Sequence, residues 1–136
     1  NPRRMADLPV RAKRAGIEVT LTDRPETLAP FDLVLVDAPC SGSGSWRRDP
    51  EGKWKITKQG LEEVVKIQRE IQDRAALLVR SGGWLGYATC SLLDRENRHQ
   101  ADAFLKRHPG WTQERELRLT PVQGGDGFYL ALFRHG

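Results

Sequence analysis

The stretch Phe31-Asp32-Leu33-Val34-Leu35-Val36-Asp37-Ala38-Pro39-Cys40-Ser41-Gly42-Ser43-Gly44, residues 31–44, decides how this chain is read. Its first part, FDLVLVDA (31–38), is almost continuously apolar and closes on an acid. A parallel strand buried on both faces has that composition, because helices cover both sides of such a sheet. The sequence then changes character abruptly. Residues 39–58 are rich in Gly, Ser and charge and read as a long loop.

Working outward, Leu61, Val64, Val65, Gln68, Ile71, Ala75, Leu78 and Val79 recur with the helical period, which predicts a helix over 59–80. Ser81-Gly82-Gly83 reads as its stop, and WLGYATC (84–90) as the next strand. Asp94 is placed to cap a helix running to about His108, with Glu96 in its first turn and Ala101, Phe104 and Leu105 inward. His108-Pro109-Gly110 ends it, and strands are expected at 111–117 and 128–134. No helix separates those two, so they should pair antiparallel. Towards the N-terminus, 3–15 reads as a helix spoiled in its middle by Pro9, with Met5, Leu8, Ala12 and Ala15 on one face and Gly16 as its stop. IEVTL (17–21) alternates like a strand, and 22–30, with Pro25 and Pro30, reads as loop. Strands alternating with helices imply an α/β sheet, mostly parallel.

The bulk composition narrows the function classes. The chain has 136 residues, 38% of them hydrophobic and 29% charged, which is globular rather than disordered. No apolar run approaches the length of a membrane span, and the basic opening residues lack the apolar stretch of a signal peptide. The formal net charge of +4 is a mild pointer to a polyanionic partner. Two cysteines and three histidines show neither CxxC nor HxxxH spacing, so no metal site is expected. Without a secretory signal, reduced thiols and a cytoplasmic location are the expectation.

Two segments carry chemistry: DAPCSGSG (37–44) after one strand and TCS (89–91) after the next. Ligands of open α/β sheets bind beyond the carboxyl ends of the strands. Asp37, Cys40 and Cys90 are therefore expected in one crevice, although the cysteines stand fifty positions apart. Taken singly, each has a bland reading. A lone Cys is commonly a small buried hydrophobe, a strand-ending Asp can cap a turn, and Gly-Ser runs can be mere loop.

Taken jointly, the paired motifs resemble the Fmu/Sun (RsmB-type) RNA 5-methylcytosine methyltransferases. The matching residues are Asp37-Ala38-Pro39-Cys40-Ser41-Gly42 and Thr89-Cys90-Ser91, with further likeness in Arg47-Arg48-x-Pro50, Lys53-Trp54, Glu96-Asn97 and Gly125-Asp126-Gly127-Phe128. The resemblance runs from about Asn1 to Phe133. It implies Cys90 as the nucleophile that adds to carbon 6 of cytosine, making carbon 5 able to accept a methyl group. It implies that Cys40 assists release of the product and that Asp37 holds the polar edge of the base. Asp23, Asp37 and Pro39 would meet the cofactor, S-adenosylmethionine. Arg47, Arg48, Lys53 and Trp54, cations mixed with an indole, would meet RNA, at odds with a plainer reading as a solvated loop with Trp anchors in the core.

The resemblance also implies a truncated Rossmann-like methyltransferase sheet, lacking its first two strands and the Gly-rich turn that holds the cofactor tail. Residues 1–136 are thus expected to be a partial catalytic domain, with weak or absent binding of S-adenosylmethionine and little activity by itself. Self-association through an exposed sheet edge is a further expectation. Two other functions stay open: a non-catalytic RNA-binding remnant of the fold, and a DNA cytosine-5 methyltransferase, which uses the Pro-Cys thiol as nucleophile. Thr89-Cys90-Ser91 argues against the latter.

Overall fold

The computed structural model describes residues 5–136. The start of the expected N-terminal helix, Arg3 and Arg4, lies outside them. The core is a four-stranded sheet of β1 (Phe31–Asp37), β2 (Val79–Thr89), β3 (Trp111–Leu119) and β4 (Phe128–His135), in the order β1-β2-β4-β3. The pair β1–β2 is parallel, while β4 lies antiparallel to both β2 and β3. Three strands thus run one way and β4 against them, the mixed α/β arrangement expected. Helix α3 (Lys58–Ala76) connects β1 to β2, and α4 (Arg98–Arg107) connects β2 to β3.

Alternation along the strands sends one set of side chains into the core. Val36, Leu85, Tyr87, Tyr129, Ala131 and Phe133 pack there against Ala75 and Ala76 of α3 and Ala101 and Phe104 of α4. The other face of β1 is open, contrary to the expectation of burial on both faces. Leu33 and Leu35 are 57% and 64% exposed. No helix among the described residues covers them, because α3 and α4 both lie on the core side.

The boundaries differ from the sequence reading where backbone hydrogen bonding overrides residue type. Helix α3 starts one residue early, with Thr57 capping it by accepting from the Gly60 amide at 3.0 Å. It stops at Ala76, and the Ser81-Gly82-Gly83 expected to end it lies inside β2. There Gly82 takes a positive φ of 71°, and the pairing jumps from Phe31↔Val79 to Leu33↔Trp84. The glycines make a bulge, a use that a breaker-like composition does not distinguish from a helix end. Helix α4 begins at Arg98 rather than at an Asp94 cap. The Asp94 side chain pairs instead with Arg118, at 2.7 Å.

At the N-terminus, α1 (Leu8–Ala15) begins just before Pro9, which therefore sits in the first turn where its missing N–H costs nothing. Ala12 is buried and Ala15 exposed, so the expected apolar face is only partly used. Gly16 ends the helix with a φ of 67°, as expected. The predicted strand 17–21 does not form. It has no ladder partner, and Ile17, Val19 and Leu21 are exposed. Alternation alone does not dock a segment on a sheet when neither of its faces is buried. The expected loop 39–58 contains two short helical pieces, a 3-10 turn at Ser43–Ser45 and α2 (Gly52–Lys55).

Candidate active site

The carboxyl ends of β1 and β2 are neighbours in the sheet, with Asp37 level with Ala88. The chain leaves both strands at one rim of the sheet. The amide of Ala38 still donates to the carbonyl of Ala88, at 2.9 Å. This ties the two exits together and carries Cys40 and Cys90 to a common point. Their sulfurs lie 3.3 Å apart, and both are free thiols. Cys90 is exposed and Cys40 half-buried. Burial, and then the hydrogen bond towards Cys90, push the Cys40 thiol up from 9.0 to about 12. Cys40 is thus held as the protonated partner of the pair.

Beneath the sulfurs lies a polar network centred on Glu96, which is fully buried. One carboxylate oxygen accepts from the amide of Ser41 at 2.7 Å and from Gln68 Nε2 at 3.1 Å. The other accepts from the hydroxyls of Ser41 and Ser91. Gln68 also donates to the Pro39 carbonyl at 2.9 Å, and its own oxygen accepts from Gln100 at 3.1 Å. Tyr87 donates to the Glu96 carbonyl at 2.7 Å. On the other side, Thr89 donates to Asn97 Oδ1 at 2.6 Å, and Asn97 Nδ2 donates to the Ser91 carbonyl at 2.8 Å. Ser41 and Ser91, each following a cysteine, are therefore held from below by Glu96, which Gln68 of α3 supports, and Ser91 is held by Asn97 as well.

The Gly-Ser loop closes the site at its side. Gly44 donates to the Cys90 carbonyl at 2.9 Å and accepts from Gly127 at 2.8 Å. Ser43 accepts from the amide of Leu92 at 2.8 Å.

The other expected residues divide into two groups. Asp37 and Pro39 are exposed at the end of β1, beside the thiols. Asp23 is exposed in a segment that joins no strand, so the strand end on which its cofactor role was expected to rest is lost. Arg47 and Arg48 lie over the Gly-Asp-Gly loop, both paired with Asp126. Lys53 sits over the ring of Trp54 at 5.3 Å. The indole of Trp54 is 81% exposed, and Trp46 is half-buried, so only the latter anchors the loop.

The sequence reading gave Glu96 a place in the first turn of a helix and Gln68 a place on the apolar face of another. Neither was assigned a part in the site. A signal was present: Gln68 stands at a buried position of an otherwise apolar helical stripe, and a polar side chain there must have a partner.

Comparison with known proteins bears on this geometry. The family described as "16S rRNA methyltransferase RsmB/F" matches residues 1–134. Among curated relatives, ribosomal RNA small subunit methyltransferase B of Pectobacterium carotovorum is 43% identical over an alignment of 109 residues, and the match covers 74% of this chain and 25% of that protein. The protein of the same name from Shewanella oneidensis is 41% identical over an alignment of 112 residues, and the match covers 74% of this chain and 26% of that one. The chain thus spans about a quarter of the length of these relatives. Among solved structures, PH0851 superposes with a TM-score of 0.85 at 32% identity, covering 98% of this chain and 35% of that one. NSun6 from Pyrococcus horikoshii shares the fold, with a TM-score of 0.82 at 23% identity over 99% of this chain and 39% of its own.

Proposed function

We propose, for a chain that belongs to the 16S rRNA methyltransferase RsmB/F family, that it carries the thiol half of an RNA cytosine-5 methyltransferase site. The observation that carries this reading is the Cys40–Cys90 pair, 3.3 Å apart at the joint end of two parallel strands. Carbon 5 of cytosine is a poor nucleophile until a thiolate adds at carbon 6. Cys90 is the exposed thiol and makes that bond. Cys40, raised to about 12 chiefly by burial, keeps its own proton beside the reacting sulfur, 3.3 Å away.

Asp37, exposed at the strand end, meets the polar edge of the cytosine and balances charge developing at nitrogen 3. After methylation the carbon-5 proton passes to water, its bonding pair restores the carbon 5–carbon 6 double bond, and the carbon 6–sulfur bond breaks with its electron pair returning to Cys90. Cys40 assists that release. The target base has to leave its stack to reach sulfurs at the sheet rim.

The methyl donor of this chemistry is S-adenosylmethionine, which when bound supplies an electrophilic methyl group to carbon 5. Asp37 and Pro39 fit its methyl end, because their side chains face outward while the residues that follow them turn inward. Asp23 fits less well, since no strand end presents it. Arg47, Arg48, Lys53 and Trp54 form an exposed cationic and aromatic flank for the RNA strand.

The test uses a chimera in which this chain replaces the matching segment of the Pectobacterium relative. With S-adenosylmethionine and RNA bearing 5-fluorocytosine, the carbon-5 fluorine cannot leave as a proton does, and a covalent protein–RNA adduct should accumulate. Cys90→Ala should abolish it and Cys40→Ala should retain it. An adduct that survives Cys90→Ala and is lost with Cys40→Ala reverses the assignment in favour of the Pro-Cys thiol.

A further inference from the structure

Glu96 is a fully buried carboxylate, and among the described residues no cation lies within ion-pair reach of it. Burial of such a group without a counter-charge is costly, so the site must use what a carboxylate alone provides. Its four contacts, the Ser41 amide, the Ser41 and Ser91 hydroxyls and Gln68 Nε2, are all donors.

We infer that Glu96 is a positioning residue for the thiol pair, setting the hydrogen-bond polarity that holds Cys40 and Cys90 within reach of a single pyrimidine. The inference rests on reading the pair as the reacting thiols. Ser41 and Ser91 each directly follow one of the cysteines. With both hydroxyl protons directed to Glu96, each hydroxyl oxygen can only accept from its other neighbours. Ser41 Oγ accepts from the Ser43 amide at 3.3 Å, and Ser91 Oγ accepts from the Leu93 amide at 3.0 Å. Ser43 Oγ accepts from the Leu92 amide, and because the Ser91 proton is directed to Glu96, Ser43 Oγ is the donor across its 3.0 Å contact with Ser91 Oγ. Gln100 donates to the Gln68 oxygen, which turns the Gln68 amide nitrogen towards Glu96. Four donors, two of them the hydroxyls that follow the cysteines, end on one carboxylate, and both cysteine turns are tied to it.

Glu96→Gln is the isosteric probe. The two donors at one oxygen are amide N–H groups that cannot accept, so the new NH₂ must face the serine hydroxyls. Both hydroxyl protons then lose their acceptor while the shape of the site is kept. Glu96→Asp keeps the charge and shortens the reach by one methylene.

The readout is the thiol–disulfide equilibrium of the Cys40–Cys90 pair in glutathione buffers, which reports how often the two sulfurs meet. It involves neither RNA nor methyl donor, so it can fail while the assignment of Cys90 stands, and the reverse. Glu96→Gln and Glu96→Asp should each lower the effective concentration of the pair by about tenfold or more. Ser91→Ala, which removes one arm only, should lower it in the same direction, and decides the matter if Glu96→Gln does not fold. Phe104→Leu, a core change remote from the sulfurs, should lower the melting temperature without moving the equilibrium. The inference is overturned if Glu96→Gln, or in its place Ser91→Ala, leaves the effective concentration unchanged. It is also overturned if Phe104→Leu shifts it as much.

Discussion

Gly44 and Gly127 meet backbone to backbone, the Gly127 amide donating to the Gly44 carbonyl at 2.8 Å. A methyl group on Gly44 would press on the Gly127 carbonyl and stand 2.8 Å from the Cys90 carbonyl. Neither obstacle is a flexible side-chain end, so the loop has to move. Gly44→Ala is therefore expected to destabilise the chain by about 1–3 kcal/mol, the usual scale of overpacking. It should also loosen the carbonyl of Cys90, and with it the thiol pair. Urea unfolding checks the first effect and the thiol equilibrium in glutathione checks the second. A variant as stable as the parent, with an unchanged equilibrium, would mean that the two loops do not make this contact.

The pH dependence of stability should carry the mark of Cys40. Its folded value is raised from 9.0 to about 12, so the folded chain holds the thiol proton more tightly than the unfolded one. The stabilisation is complete below the unfolded value and is lost as pH rises from about 9 towards 12. Tyr87 and Tyr129 are also raised, chiefly by burial, and their loss begins above their ordinary value of 10.0. The interval from about pH 9 to 10 therefore isolates the thiol. There the melting temperature of the parent should fall, and that of Cys40→Ala should fall less. Parallel curves for the two proteins would show that Cys40 is not held protonated by the fold.

Much of this architecture was legible because the determining signals are local and periodic. The apolar run from Phe31 to Val36, the helical stripe from Leu61 to Ala75 and the antiparallel closing pair all came through. What escaped depends on partners. IEVTL has the alternation of a strand but joins no ladder, and Gly82-Gly83 makes a bulge that only the pairing with β1 defines. The two thiols were legible as a pair because each follows the end of a strand beside a recognisable turn. Glu96 was not, because its four donors come from Ser41, Gln68 and Ser91, as much as fifty-five positions away. Polarity of that kind belongs to the folded site, and neither spacing nor composition states it.

The cationic flank should respond to substitution with opposite signs. Asp126 holds both Arg47 and Arg48, competing with any phosphate for the same guanidinium groups. Arg47→Ala and Arg48→Ala should weaken RNA binding and each reduce the salt slope by about one. Asp126→Asn should strengthen binding and steepen that slope. Trp54→Ala should cost about 1–3 kcal/mol if the exposed indole stacks on a base, with little change in the slope. Fluorescence anisotropy across a salt series separates these cases. If Asp126→Asn weakened binding as the arginine variants do, the pairs would be supporting the loop rather than occupying the RNA-binding cations.

The open face of β1 gives the last expected outcome. Among the described residues the outer edge of β1 pairs with no strand, and its only ladder is with β2. Leu33 and Leu35 project from the uncovered face, and Leu117 and Leu119 extend it across the sheet at 45% and 38% exposure. An edge strand with free amides and carbonyls is a template for another strand, and nearby apolar side chains add a driving force. The edge has one guard, Asp32, whose carboxylate is occupied by Arg80. Self-association of this chain through β1 is therefore expected. Two copies meeting edge to edge in antiparallel fashion would form an isologous pair, so association would stop at a dimer. Light scattering coupled to size exclusion should show a concentration-dependent dimer. Leu35→Lys, which places a charge on the uncovered face, should return the chain to a monomer without lowering its melting temperature, since Leu35 contributes little to the core. A monodisperse monomer at high concentration would show that the edge is protected. A dimer indifferent to Leu35→Lys would place the contact on another surface.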